Sequence, residues 1–216
     1  MKTKKFTTSQ LTILGLMAGI LFLMAYTPLG YLNIGPLAVT FNVIPVAVCA
    51  IVLGPTGGAI AGAVFGLTSF MQAIGIGGVS ALGSALFQIN PFMTAVQCFG
   101  PRILDGICIG FIYRAVHKKA NTYVSCAVTG FFSAFLNTLF FMTALIVMFG
   151  NTELIRNLMG GHNIIVGCCL MVGVNAISEM VSSTIITAAV GTALSKAHLI
   201  PASQIAKPDT SRIKRV

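Results

Sequence analysis

Arg102 and Asp105 stand three residues apart in PRILDGICIGFIYRAVHKK, a stretch that is otherwise apolar until its basic end. Three apart on a helix, a guanidinium and a carboxylate are near neighbours on one face and can pair. Glu179 offers a second counter-ion. Either pairing makes the arginine a tie between helices. Left unpaired, the planar fork suits a carboxylate ligand, which it can grip through two parallel hydrogen bonds. The residues alone leave both uses open.

Around this pair the sequence spaces a set of amide and acidic side chains: Asn42, Gln88, Asn90, Gln97, Asn137, Asn175 and Glu179. Each lies within or beside an apolar run. Polar groups at such positions are costly in a bilayer and usually face the bundle interior or a water-filled cavity. A single intramembrane asparagine commonly joins helices through a hydrogen bond. A whole set converging on one half of a bundle instead describes a binding cavity. Asn175 and Glu179 are one helical turn apart, with Ser178 and Ser182 expected close to the same face.

Other chemistry is poorly supplied. No G-x-x-x-x-G-K-[ST] occurs, so the chain carries no P-loop nucleotide site. GIGGVS (75–80) approaches a dinucleotide fingerprint but opens no βαβ unit. His117, His162 and His198 are scattered, no C-x-x-C appears, and no metal or cofactor site is expected. The six cysteines (Cys49, Cys98, Cys108, Cys126, Cys168, Cys169) fall in or beside apolar runs and read as small packing residues. With four acidic residues in all, acid–base catalysis has few candidates.

These side chains must be positioned by membrane-spanning helices. Only 8% of the 216 residues are charged and the mean hydropathy is +0.94, whereas soluble domains average about 25% charged. Apolar runs leave room for roughly six spans of about 20 residues. The expected spans are about Thr8–Tyr26, Phe41–Leu53, Ala59–Ala73, Thr94–Val116, Val124–Phe149 and Ile164–Leu194. Between the first two, residues 27–40 read as an external loop. GPTGG (54–58) reads as a tight inner turn, and 74–92 as an irregular segment packed over the outer mouth of a pocket.

The net charge of +9 comes from three clusters, with only Arg102 and Arg156 elsewhere. These are Lys2, Lys4 and Lys5; Arg114, Lys118 and Lys119; and Lys196, Lys207, Arg212, Lys214 and Arg215. Basic residues accumulate in loops retained in the cytoplasm, so both termini are expected inside and nucleic acid is not an expected partner. The chain is read as an all-α, polytopic six-helix bundle over residues 1–196, followed by a basic cytoplasmic tail over 197–216. Gly58, Gly62 and Gly66 form a ladder suited to close helix packing. Gly15 and Gly19 form a second one, suited equally to internal packing or to another subunit.

The stretch TPLGYLNIGPLAVTFNVIPVAVCAIVLGPTGGAIAGAVFGLTS (27–69) resembles the substrate-binding S components of energy-coupling factor (ECF) vitamin transporters. PRILDGICIGFIYR and NAISE resemble that family's fourth and sixth helices, and the similarity runs nearly to Lys196. The resemblance implies a bacterial cell-membrane protein without catalytic activity that captures a vitamin from outside. It also implies docking on a transmembrane coupling subunit driven by two ATPases, and release inward by toppling in the lipid. Where the family has an A-x-x-x-A docking motif in its first helix, this chain has Gly15 and Gly19. Within the family, Ile34-Gly35-Pro36 and Pro101-Arg102 look most similar to pantothenate-specific members. Pyridoxine, a thiamin precursor, riboflavin, folate and cobalamin are the other substrates to weigh. A membrane-embedded enzyme using Asp105 or Glu179 is the reading from a different class.

Overall fold

A computed structural model describes residues 7–27, 30–33, 38–78, 80–158 and 164–200. The Lys2, Lys4 and Lys5 cluster, the Ile34-Gly35-Pro36 motif and the tail from 201 onward lie outside the described residues. The described elements are α1 (Thr8–Ala25), β1 (Tyr31–Asn33), β2 (Ala38–Thr40), α2 (Val43–Ala73), α3 (Ala81–Ile89), α4 (Pro91–His117), α5 (Thr122–Phe149), α6 (Glu153–Leu158) and α7 (Ile164–Lys196). Five of the helices contain stretches long and apolar enough to cross a membrane. Large apolar side chains such as Phe92, Phe111, Val147 and Ile185 point outward, whereas Asn42, Gln97, Asp105, Asn137, Asn175 and Glu179 are buried. This is the distribution expected when lipid is the solvent.

The helix starts are written locally. Thr7 and Gln10 close a reciprocal capping box on α1, while Ser80, Asn90 and Asn121 cap α3, α4 and α5 with their side chains. Pro91 then occupies the first position of α4, where its missing N–H has no helical partner to lose.

α2 is broken at Gly54, whose φ of 74° belongs to the region that favours glycine. A Cβ built on Gly58 would stand 3.0 Å from that of Ala50. Eight residues of straight helix would separate them by about 12 Å along the axis. The chain therefore doubles back, and 43–53 and 55–73 are antiparallel limbs. The expected GPTGG turn narrows to this one residue, because Pro55 is already in place as a helix start.

Limb 55–73 packs antiparallel on α4 with almost no space between backbones. A Cβ on Gly58 would overlap the carbonyl of Gly106, and one on Gly62 the carbonyl of Arg102, while one on Gly66 would stand 2.9 Å from the carbonyl oxygen of Cys98. The close helix packing expected of this ladder is made within the chain, against α4. Gly106→Ala, which would overlap the Gly58 carbonyl in return, should destabilise the bundle by about 1–3 kcal/mol, the usual range for overpacking. Thermal unfolding in detergent should show a clear drop for Gly106→Ala and little change for Gly15→Ala, since nothing lies within 4 Å of a Cβ at Gly15. Equal melting of both variants would contradict this packing.

Helix α5 runs antiparallel to both α4 and α7. Gln97 Nε2 donates to the Phe141 carbonyl at 2.9 Å, and His117 meets Ser125 at the far end. Ser183 donates to the Gly130 carbonyl at 2.8 Å. Consequently Gly54 and the C-terminal ends of α4 and α7 share one face of the bundle. Arg114, Lys118, Lys119 and Lys196 are gathered there, and Glu153 and Arg156 of α6 stand at the opposite end.

Three expectations are corrected. Residues 27–40 are not simply loop: β1 and β2 pair antiparallel with Tyr31 opposite Thr40 and Asn33 opposite Ala38. Limb 43–53 covers only about 16 Å at 1.5 Å per residue, so this ribbon continues the wall above it. Segment 74–92 is a turn followed by a true helix, because positive φ at Gly75, Gly77 and Gly78 reverses the chain and Ser80 then caps α3. The connection between the expected fifth and sixth spans also forms a short helix, α6, which carries Glu153 and Arg156.

Candidate ligand-binding site

Pro101 shapes the site before Arg102 does. Lacking an N–H, it leaves the carbonyl four residues earlier, on Gln97, without its helical donor. The Arg102 side chain turns back and fills the gap, donating from Nη1 to the carbonyls of Gln97 at 3.2 Å and Cys98 at 3.0 Å. This fold-back places the guanidinium 4.7 Å from the Phe65 ring centroid and 5.5 Å from that of Phe141. Both distances suit attraction between a cation and an aromatic face. Nε has no partner among the described residues.

Neither acid pairs with this arginine among the described residues. Asp105 Oδ2 accepts from Ser133 Oγ at 3.5 Å, and its Oδ1 has no partner among the described residues. Of the uses left open, the Arg102–Asp105 pairing is not formed among the described residues. The proline-directed fold-back sends the guanidinium toward the N-terminal end of α4, while Asp105 faces α5. Glu179 of α7 accepts from the Thr40 backbone N–H at 2.6 Å and bonds the Thr138 side chain, and it feels the Arg102 charge without joining it.

A chain of contacts links the remaining groups. Thr40 Oγ1 accepts from the Asn42 backbone N–H at 3.3 Å, and Ser133 Oγ reaches the Val43 carbonyl at 3.3 Å. Asn42 is wholly buried, yet neither amide atom has a partner among the described residues. Gln97 spends its Nε2 on Phe141 while its Oε1 is unpartnered among the described residues. Buried polar groups are nearly always hydrogen-bonded, so these open atoms mark where a polar ligand or water belongs.

Thr40 joins Asn42 to Glu179, Arg102 bonds back to the Gln97 carbonyl, and Asn137 is buried one turn from Ser133 on α5, which makes a buried polar cluster between the helices. Asn175 is buried one turn from Glu179 on the same face of α7. Gln88 and Asn90 are not part of it. Gln88 is exposed on α3, and Asn90 Oδ1 accepts from the Met93 N–H as the cap of α4. The expected neighbours of Glu179 also change: Ser183 and Thr187 are buried on its face, whereas Ser178 is exposed. Phe65, Phe141, Thr40 and Thr138 were absent from the sequence reading. Phe65 was findable, since it lies between Gly62 and Gly66 on the limb that the ladder presses against α4. Phe141 was findable too, standing two helical turns from Ser133 on the face that also carries Asn137.

An apolar exterior around buried polar side chains, with helices long and apolar enough to cross a bilayer, defines a multi-pass membrane protein. Residues 9–191 match the family described as ECF transporter, substrate-specific component. The chain is 33% identical over 178 residues to the pantothenate transporter PanT of Leuconostoc mesenteroides subsp. mesenteroides, covering 79% of this chain and 81% of that protein. It is 28% identical over 208 residues to the pantothenic acid transporter PanT of Lactococcus lactis subsp. cremoris, covering 90% of this chain and 98% of that one. The chain belongs to the family of ECF transporter substrate-specific components.

Proposed function

We propose that this protein binds pantothenate from outside the cell and delivers it inward through an ECF transport complex. The observation that carries the reading is Arg102, held half-buried between two aromatic rings with Nε open and no ion pair among the described residues. Such a cation suits the carboxylate of pantothenate. Asn42, Gln97, Asn137, Asn175 and Glu179 supply acceptors and donors for its hydroxyl and amide groups. The names of the two relatives support the same substrate.

In this reading the two limbs of α2 count as separate passes, which gives six with both termini cytoplasmic. The gathering of Arg114, Lys118, Lys119 and Lys196 on the Gly54 face supports that orientation. Membership of the family further implies a coupling subunit and two ATPases, with Gly15 and Gly19 as the contact on α1.

Two measurements test the proposal. Native mass spectrometry of protein purified from rich medium should show bound pantothenate, and excess pyridoxine, riboflavin, thiamin, folate or cobalamin should not displace it. Vesicles holding this chain alone should bind radiolabelled pantothenate without concentrating it, since no P-loop is present. Adding the coupling and ATPase subunits with ATP should produce accumulation. Concentrative uptake by the chain alone would overturn the division of labour, and co-purification of a different vitamin would overturn the substrate.

A further inference from the structure

The two halves of α1 are attached very differently. At the outer end Gln72 Nε2 donates to the Ala25 carbonyl at 2.6 Å and the Tyr26 hydroxyl meets the Met71 sulfur at 3.3 Å. The buried residues of α1, Leu21 and Ala25, are also at that end. The inner half carries Gly15 and Gly19 and has no fully buried residue. It is held through Ile13, Leu14 and Met17, which lean on an apolar cluster that includes Ile51, Leu53, Tyr113 and Ile200. Leu14 and Met17 also touch the core around Leu21, Val46 and Ala50, whereas Ile13 is packed on the Ile200 cluster.

Ile200 is the unexpected member of this cluster. It lies beyond the last membrane helix, in what composition alone reads as the start of a solvated tail. Residues 196–199 are exposed, and Ile200 is only 4% exposed. The reversal that buries it is specific. His198 has a left-handed φ of 56°, its N–H donates to the Ser195 carbonyl, and the Leu199 N–H donates to the Leu194 carbonyl. These two bonds are the Schellman pattern, which usually recruits glycine at the left-handed position. A histidine there costs free energy, and burial of Ile200 under the inner ends of the helices offsets it.

We propose that the turn after α7, through Ile200, pins the inner half of α1 and so sets the pose in which its glycine face meets a partner helix. Ile200 is then a positioning residue for coupling, distant from the ligand cavity. The inference rests on the docking role assigned above to Gly15 and Gly19.

Two variants test it from different directions. Ile200→Asn removes the apolar anchor. His198→Pro changes an exposed residue but cannot reach a φ of 56°, because proline holds φ near about −65°. In either variant, amide hydrogen exchange over residues 8–17 should quicken by roughly tenfold or more, reflecting local release of the inner half. Association with the coupling complex should weaken by a similar factor, with pantothenate affinity unchanged, and Ile200→Leu should behave as wild type. Wild-type exchange and association in both variants would overturn the inference, as would ligand affinity falling in step with association. Gly15→Leu separates the two readings. If it leaves association intact, the docking face is wrong and the coupling role of Ile200 goes with it. If it abolishes association while the Ile200 and His198 variants do not, the pinning alone fails.

Discussion

Replacing Gly15 or Gly19 by leucine will weaken association with the coupling subunit by about tenfold or more, with pantothenate affinity held within about twofold. Uptake in reconstituted vesicles will fall accordingly. Both glycines face outward, and nothing in the chain lies within 4 Å of a Cβ at either. A new side chain therefore meets no internal obstacle, and neither glycine is among the residues proposed to meet the ligand. In lipid, apolar contact gains nothing over lipid tails, so association depends on close backbone approach between small residues. In the docking proposed above, leucine adds bulk just where that approach would occur. Gly58, Gly62 and Gly66 supply the contrast within one molecule, because their ladder is consumed by α4. Two measurements decide the matter: a pull-down or single-molecule binding assay against the coupling complex, and ligand titration in detergent. If affinity for pantothenate collapses while association survives, the face assignment is reversed.

The difference between the two ladders shows what could be read from the sequence and what could not. Spacing alone identified both as surfaces for close approach. It could not say which was already occupied, since that depends on where α4 lies. The membrane helices were legible because apolar runs must satisfy their backbone groups internally, and their expected bounds agree closely with α1, α4, α5 and α7. Ribbon β1–β2 and helix α3 were not legible. Three-residue strands carry too little pattern, and α3 is set by a single capping serine after three glycines of positive φ. Among the polar residues, burial was foreseen for Asn42, Gln97, Asn137, Asn175 and Glu179. Gln88 and Asn90 have the same composition and a different fate, because Asn90 opens a helix and Gln88 lies on an exposed face. The side-chain direction of Arg102 needed one further step, the carbonyl freed by Pro101, which a chemical reading of Pro-Arg within a helix could have supplied.

That step also sharpens the test of Arg102. Substitution by glutamine removes the charge and the fork, and should weaken pantothenate binding by about ten- to a hundredfold, corresponding to a charge-assisted hydrogen bond of about 1.5–3 kcal/mol. Lysine keeps the charge without the planar geometry and should fall between glutamine and wild type. Because Nη1 also serves the Gln97 and Cys98 carbonyls, some loss of thermal stability is expected in both variants. Ligand affinity must therefore be compared on monodisperse protein, at a temperature below the onset of unfolding. The decisive comparison uses a neutral amide of pantothenate. It should bind wild type weakly and lose little more in Arg102→Gln, whereas a purely structural arginine would weaken acid and amide alike. Phe65→Leu provides a second approach: removing one aromatic face should cost the acid a few-fold, in line with about 0.5–1 kcal/mol for a cation–π contact. Should folded Arg102→Gln bind the acid as tightly as wild type, the guanidinium serves only to close the gap left by Pro101. The anionic substrate would then need a different cation, and among the described residues Arg156 is the other arginine at the end of the bundle opposite Gly54.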